Sequence, residues 1–573
     1  MTSNRRASQQ EGDNDPPSTR PVAAHLRTTL ACLLVLFALL APNEFSRLSP
    51  GTFVSVPLEA LLGVACLILM PTKARPMVAT LVGLVLGLWA IMKLLDMGFF
   101  AILARPFDPL LDWTLLEDGM RFLAGAIGPF PAIGCLAAAV VLATALVIFT
   151  TRAVQRMTVL VGQKHLMASR AVIVLAAFWL TCAQLGTEIV PGVSVAAASS
   201  AAYLQHRSRP GEDLQHHQEF SANGAPDAFA NTPDKQLLTA LRGKDVIVVF
   251  VESYGRTAIE DPEFASQVGA VLDDGNRRLR AAGFDARSAF LTSPTAGGSS
   301  WLAHATLLSG LWIDNQQRYD DLTSSHRLTL TKAFHRADWR TVGVMPGNDS
   351  AWPDSASLGY DRVYAGKDMG YQGPRFSWAA MPDQYTLSRF ECTERAIRAR
   401  RPVMAEITLV SSHAPWEPIP RLLAWTDLGD GSVFDTMATT DNPPEAILTR
   451  NPARVRADYR AAIEYSLSSL ISYVETYGDD NLVLIFLGDH QPSPIVTGLH
   501  ASRDVPIALV ARDGSVLERI TSWGWQEGLK PSPQAPVWRM DAFRDRFLTA
   551  FGAAGAAKQS PPVTAVPAGV RAR

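Results

Sequence analysis

The hydrophobic pattern changes character once along the chain. Up to about residue 190 it consists of five apolar runs, at about 24–42, 53–71, 77–103, 129–150 and 170–190. Each approaches the ~20 residues that carry a helix across a bilayer. One such run alone would read as a buried core helix. Five in succession, with little polar chain between them, predict a five-helix transmembrane domain over 23–190. The first run is too long for a signal peptide and lacks a small-residue cleavage site. From about residue 244 the pattern becomes short apolar runs alternating with helix-like stretches. Asp245–Val251 (DVIVVFV), Thr341–Met345, Val403–Val410, Leu482–Leu487 and Val505–Val510 predict buried strands. Trp301–Leu308, Leu328–Ala337, Thr386–Arg398 and Ala457–Thr476 predict helices. This alternation predicts an α/β domain over 244–552, with a mostly parallel sheet covered by helices on both faces. Residues 191–243, rich in Ala, Ser, His and Gly, read as a linker in which the His216–His217 pair is solvated. The tails, 1–22 and 553–573, are rich in small and polar residues and read as disordered.

Charge sharpens the division. Residues 1–190 hold 14 Lys/Arg and 11 Asp/Glu, leaving 81 of the 106 charged residues to the other 383 positions. Arg5, Arg6 and Arg20 precede the first run, Lys73 and Arg75 follow the second, and Arg152, Arg156, Lys164 and Arg170 follow the fourth. By the positive-inside rule these segments are cytoplasmic. The third loop carries Asp108, Asp112, Glu117 and Asp118 against Arg105 and Arg121, so it faces the other way. Five crossings from an inside N-terminus place the α/β domain outside the cytoplasm. Lys93 and Asp96, near the end of the third run, are expected to snorkel toward the interface. The net charge of −2 offers no basic field for nucleic acid. Five scattered cysteines without a CxxC pair exclude a disulfide framework and a thiolate zinc site.

Ligands in parallel α/β folds bind at the carboxyl ends of strands. Three of the predicted strands end on polar groups of one chemical kind: Glu252-Ser253, Ser411-Ser412-His413 and Gly488-Asp489-His490. Two carboxylates and an imidazole at strand ends form a mixed oxygen and nitrogen ligand set for a divalent metal ion. A fourth element, Ser293–Gly310 (SPTAGGSSWLAHATLLSG), is a glycine-rich turn opening into a helix. Its hydroxyls, Ser299 and Ser300, stand at a helix N-terminus, where backbone N–H groups and the dipole favour an anion. A serine coordinated to a metal there becomes an activated nucleophile. Alone, the two serines would read as ordinary helix caps.

Taken together, these motifs resemble the alkaline-phosphatase/sulfatase superfamily, and within it the lipoteichoic acid synthase-like membrane phosphoglycerol transferases. The resemblance covers most of the chain: membrane helices, linker and extracytoplasmic domain. It implies Glu252, Ser300, Asp489 and His490 as metal ligands. Ser300, ten residues before Gly310 in Leu308-Ser309-Gly310, is the implied nucleophile in preference to Ser299. His413, in SSHAPW, is implied to face the substrate as proton donor or oxygen stabiliser. Trp352, upstream of Leu358-Gly-Tyr-Asp361, is implied to line the substrate site. Three positions depart from the family. The nucleophile is Ser rather than Thr, which leaves the chemistry open to it. Asp354 stands where a phosphate-gripping Arg is expected, and an acid cannot pair with phosphate. His304 replaces an acid one helical turn after Ser300 and reads as a packed helix histidine. Arg256 reads as a surface arginine and Trp416 as packing or cleft lining. A sulfatase formylglycine signature is missing, because Thr292–Ala296 lacks both its first residue and its Arg.

The resemblance implies a metal-dependent phosphotransferase that moves a phosphoglycerol-type head group from a lipid, such as phosphatidylglycerol, to a glycan or lipid acceptor through a phospho-serine. It implies one divalent ion, with Mn2+ or Zn2+ fitting better than Mg2+ because of His490. It also places the protein in a bacterial inner membrane with the catalytic domain facing the periplasm. The alternatives are a hydrolase of the same superfamily, a phosphoethanolamine transferase, an inactive binding or sensor protein, and a transporter. Phosphoethanolamine transferases usually add ligands and disulfides that Cys392 alone cannot supply.

Overall fold

The computed structural model describes residues 20–190, 193–197 and 227–553, apart from short stretches at 49, 110, 114, 116–118, 121–122, 125–127, 349–351, 377–378, 438–449 and 499–500. Most of the expected linker, including His216–His217, lies outside the described residues. So do the C-terminal tail from 554, the N-terminal residues 1–19, and Glu117, Asp118 and Arg121 of the acidic loop. The chain separates into two compact units, one of Met1–Gly98 with Asp118–Pro210, the other of Phe99–Glu117 with Gly211–Arg573.

All five apolar runs are helical: α1 (Arg20–Leu40), α2 (Leu58–Leu69), α3 (Arg75–Leu103), α4 (Pro129–Gln163) and α5 (His165–Leu185). Among the described residues, three of these, α3, α4 and α5, are long and apolar enough to cross a membrane. The apolar part of α1, His25–Leu40, and the whole of α2 are shorter. The helix α4 continues well past 150, because the segment Thr151–Gln163 mixes its charges with good helix formers. Helices α3 and α4 approach closely at glycines. A Cβ on Gly83 would stand 2.5 Å from Thr151 Cα, and one on Gly87 2.8 Å from Val147 Cα. Small residues serve this purpose in apolar surroundings. Lys93 and Asp96 do not snorkel but are buried. The Lys93 ammonium donates to the carbonyls of Ala38 (3.3 Å) and Leu39 (2.8 Å). It thereby satisfies carbonyls that the end of α1 leaves without helical partners.

The second unit is built on a nine-stranded mixed sheet: β1 (Asp245–Val251), β2 (Asp285–Thr292), β3 (Arg340–Met345), β4 (Arg362–Ala365), β5 (Val403–Leu409), β6 (Leu482–Gly488), β7 (Asp504–Ala511), β8 (Gln526–Glu527) and β9 (Val537–Arg539). Their order is β8-β2-β7-β6-β1-β5-β3-β4, with β9 also pairing β2. The block β6-β1-β5-β3-β4 is parallel. Strand β7 runs antiparallel to β6 and β2, which leaves β2 pointing the same way as the parallel block. The central strands are buried along their full length. Alternate side chains of β1 feed two apolar cores. Ile247, Val249 and Val251 pack with α6 (Ala265–Ala281) and α11 (Pro452–Tyr477). Val246, Val248 and Phe250 pack with α7 (Ser300–Ser309), α9 (Leu330–Arg336) and α12 (Ala542–Phe551). Two further helices, α8 (Gln316–Thr323) and α10 (Asp383–Phe390), flank the site described below.

The expected fold is modified in three places. Strands β2, β4, β8 and β9 were not anticipated, because Arg287 and Ser288 break the apolar run of β2 and the other three are only four, two and three residues long. The run expected over 386–398 starts earlier, at Asp383, and ends in a π-turn, Glu391–Arg395. The folded core also begins before 244: Phe229, Leu237, Leu238 and Leu241 are buried in it. Their irregular spacing, in 3-10 turns rather than a periodic element, hides them in the sequence.

Candidate metal centre and nucleophile

The carboxyl ends of β1, β2, β3, β5 and β6 share one edge of the sheet. The register Val251↔Gly488 sets Glu252 beside Asp489, and Val251↔Leu409 sets Val410 on its other side. Neighbouring strands lie about 4.8 Å apart, so the pairing alone brings the two carboxylates together. Ligand atoms of Glu252, Asp489 and His490 all lie within 4.8 Å of one another, and all three residues are buried. Across β7 on the same edge, β2 leads into the glycine turn, and Ser300 opens α7. Its Oγ stands 3.1 Å from Glu252 Oε2 and 3.2 Å from His490 Nε2.

Backbone and hydroxyl contacts knit these loops to one another. Ser253 N–H donates to Asp489 Oδ1 (2.8 Å) and the Ser253 hydroxyl to Glu252 Oε1 (2.9 Å). The Ser412 hydroxyl donates to the Glu252 carbonyl (2.6 Å), tying the His413 loop to the Glu252 loop. Ser293 Oγ–H donates to the Asp489 carbonyl (2.6 Å), and Gly297 N–H to the Gln491 carbonyl (2.8 Å), tying in the nucleophile turn. Three non-glycine residues of these loops take left-handed backbone, Ser253 (φ 58°) beside Glu252, Ser299 (φ 64°) before Ser300 and Trp416 (φ 62°) on the His413 loop. Such residues cost about 1–3 kcal/mol each and persist where surrounding contacts over-determine them. Asp383, fully buried at the start of α10, accepts from Val410 N (2.8 Å), Ser411 N (2.9 Å) and Ser466 Oγ (2.6 Å). It holds the loop that carries His413. Nothing in the sequence singles it out, because a helix-start aspartate is commonplace.

The donor set suits a divalent cation. His490 Nδ1–H donates to the Gln491 carbonyl (2.8 Å), which leaves Nε2 as the lone-pair nitrogen facing the carboxylates. Asp489 Oδ2 is buried without a hydrogen-bond partner among the described residues. Burial, and then the neighbouring Glu252 charge, push the Asp489 carboxyl up to about 6. Burial opposes protonation of His490, yet Asp489 and Glu252 still raise its pKa. Two carboxylates this close are a local excess of negative charge that a cation offsets.

The other expected residues fall into two groups. His413 is half-buried on the loop after β5, with Nδ1–H donated to the Ala414 carbonyl (2.6 Å). Burial lowers its pKa to about 4 against the pull of that carbonyl. The lowered pKa favours the neutral ring, with the proton on Nδ1 and the lone pair on Nε2. Trp352 and Asp354 follow β3 and join each other through Tyr319 of α8, the helix after α7. Trp352 Nε1–H donates to Tyr319 OH (2.9 Å), and Tyr319 OH lies 3.4 Å from Asp354 Oδ2. Among the described residues, no hydrogen bond links this trio directly to Glu252, Asp489 or His490. His304 is buried, with its ring stacked on Phe250 at 3.8 Å. Arg256 is held by Glu260 (2.8 Å) and Asp504 (3.1 Å) over the ring of Phe290. Trp416 is a packing residue, buried against Tyr459, with Nε1–H donated to the Ser412 carbonyl (2.7 Å).

No protein-family model matches the chain, and no curated protein matches its sequence. Solved structures do. The lipoteichoic acid synthase LtaP from Listeria monocytogenes is 15% identical, with a TM-score of 0.37, over 60% of this chain and 79% of LtaP. The Streptococcus pyogenes phosphoglycerol transferase GacH, solved with sn-glycerol-1-phosphate, is 12% identical, with a TM-score of 0.34, over 59% of this chain and 90% of GacH. The C-terminal periplasmic domain of EcEptC from Escherichia coli is 13% identical, with a TM-score of 0.33, over 48% of this chain and 74% of that domain. The chain is similar to these structures at low identity and low TM-score. Its chemistry has to be argued from its own side chains.

Proposed function

We propose that the protein is a membrane-anchored, metal-dependent phosphotransferase that moves a phospho-alcohol head group from a lipid donor to an extracytoplasmic glycan or lipid acceptor through a phospho-Ser300 intermediate. One observation carries this reading: the Ser300 hydroxyl lies within 3.2 Å of two residues of a buried three-residue ligand cluster. A helix-capping serine has no need of such neighbours. Glu252, Asp489 and His490, with Ser300, would hold one divalent ion, and their oxygen and nitrogen donors fit Mn2+ or Zn2+ better than Mg2+. When bound, the ion supplies Lewis-acid polarisation of the phosphoryl group and lowers the pKa of the serine.

The chain's own residues account for the remaining steps. Ser300 Oγ–H donates to Glu252 Oε2, a carboxylate oxygen that can receive its proton. The Oγ–P bond forms as the bond from phosphorus to the lipid alcohol breaks, and the proton taken from Ser300 passes to the departing alkoxide, which leaves as the alcohol. An acceptor hydroxyl then attacks the phospho-serine, the Oγ–P bond breaks, and Ser300 is regenerated. The neutral His413 takes the acceptor's proton at Nε2, and a proton returns to Ser300 Oγ as its bond to phosphorus breaks. The apolar helices keep the chain in a bilayer, in this reading a bacterial inner membrane with the sheet domain in the periplasm, so a lipid donor such as phosphatidylglycerol is present at high effective concentration.

Asp354 favours a second reading. A half-buried carboxylate beside Tyr319 and Trp352 suits a cationic head group, such as an aminoethyl group, better than a second phosphate contact. The full-length protein, loaded with Mn2+, should release diacylglycerol from vesicles of phosphatidylglycerol or phosphatidylethanolamine, and should stop doing so with EDTA or as Ser300→Ala. The productive vesicle identifies the head group. Metal-independent release, or release unaffected by Ser300→Ala, overturns the proposal.

A further inference from the structure

Glu406 sits in the middle of β5, fully buried among apolar side chains. A carboxylate there is strongly disfavoured unless it is partnered. One of its oxygens, Oε1, lies 2.7 Å from His304 Nδ1, and the other accepts from the Tyr360 hydroxyl. The imidazole of His304 is itself buried and lies flat on Phe250, with ring planes 11° apart. These residues bridge the elements that carry the site. Phe250 precedes Glu252 by two residues on β1. His304 follows Ser300 by one turn on α7. Glu406 precedes His413 on β5. Tyr360, whose ring is 5.9 Å from that of Trp352, extends the connection to the loop of Trp352 and Asp354.

We infer that His304 and Glu406 form a positioning pair that fixes the rotation of α7 against β1 and β5, and so fixes where Ser300 Oγ stands relative to Glu252 and His490. An apolar side chain at 304 would pack in this core without the desolvation that a His–Glu pair entails. The pair confines the ring instead: His304 lies flat on Phe250, and its Nδ1 stands 2.7 Å from Glu406 Oε1 in a close contact outside hydrogen-bond geometry. A helix pinned one turn beyond its first residue cannot swing that residue away from its neighbours. The pair therefore acts through Ser300 rather than on substrate. This inference rests on the reading of Ser300 as a metal ligand.

The test is a double-mutant cycle on Mn2+ affinity, measured by calorimetry on the full-length protein in detergent, with Mn2+ alone as the probe. Removing a partner that orients a ligand typically weakens metal binding about 10-fold or more. Glu406→Gln is expected to do so in the wild-type background, and to change affinity less than about twofold once Ser300 is already Ala. His304→Phe, which retains the stack on Phe250, is the second variant and should behave alike; thermal unfolding identifies which variants are folded. The inference is overturned if the folded variants bind Mn2+ within about twofold of wild type, or if the same loss recurs in the Ser300→Ala background, since a merely structural role adds independently. If wild type binds no Mn2+, or Ser300→Ala leaves affinity unchanged, the proposed function itself falls and takes this inference with it. Intact binding in wild type, weakened by Ser300→Ala, with additive Glu406→Gln, removes this inference alone.

Discussion

Gly488 closes β6 immediately before the two candidate ligands Asp489 and His490. It has no unusual backbone angle to protect; what it needs is room. A Cβ at this position would stand 1.9 Å from the Tyr254 carbonyl oxygen and 3.2 Å from Val505 Cβ. Real Cβ contacts do not fall below 3.0 Å, so Gly488→Ala must part the Gly488 and Tyr254 backbones by more than 1 Å. Those two backbones carry the two halves of the ligand set, since Tyr254 follows Glu252 by two residues. Metal–ligand distances tolerate only about ±0.2 Å, and overpacking of this kind costs about 1–3 kcal/mol. Gly488→Ala should therefore lower stability modestly while weakening Mn2+ binding by about 10- to 100-fold. Calorimetric titration of the folded variant, with urea unfolding alongside, separates the two effects. A variant that binds Mn2+ as tightly as wild type would refute the reasoning, because it would mean that the Glu252 and Asp489 loops need not meet.

Asp383→Ala should lower stability by about 3–5 kcal/mol, the cost of leaving the Val410 and Ser411 amides and the Ser466 hydroxyl without their buried acceptor; urea denaturation reads it, and a change under 1 kcal/mol contradicts it. His413 should titrate near 4 rather than at its ordinary value. Because its folded pKa is depressed, the neutral ring's contribution to stability is complete above the unfolded value, about 6.5, and is lost as pH falls from there toward 4. Ring resonances of His413 that stay neutral from pH 8 to 5.5 bear this out, and a midpoint near 6.5 does not.

Much of this was legible in the sequence, for a definite reason. Strands β1 and β6 are unbroken apolar runs because both faces of the sheet are covered, and the polar residue after such a run falls at the sheet's functional edge. Glu252 and Asp489-His490 are legible in that way from the sequence alone. Strand β2 could not, since Arg287 and Ser288 interrupt it, and only its pairing with β7, β8 and β9 shows why such a run is a strand. The roles of Asp383, Gly488 and Glu406 depend on what stands opposite them in space, which no local pattern encodes. Lys93 was misread for the same reason: its partners are carbonyls more than fifty residues away. The Trp352–Tyr319–Asp354 trio was half visible, because Tyr319 comes from a helix with no motif of its own.

The central claim is that Ser300 carries the phospho-alcohol during turnover. The direct measurement is mass spectrometry of the full-length protein, loaded with Mn2+ and incubated with phosphatidylglycerol or phosphatidylethanolamine, then quenched in acid and mapped at the peptide level. The account predicts a phosphoglycerol or phosphoethanolamine adduct on Ser300 with one of the two lipids, and none in Ser300→Ala. An adduct on another residue, or turnover of the lipid with Ser300 never modified, would contradict it.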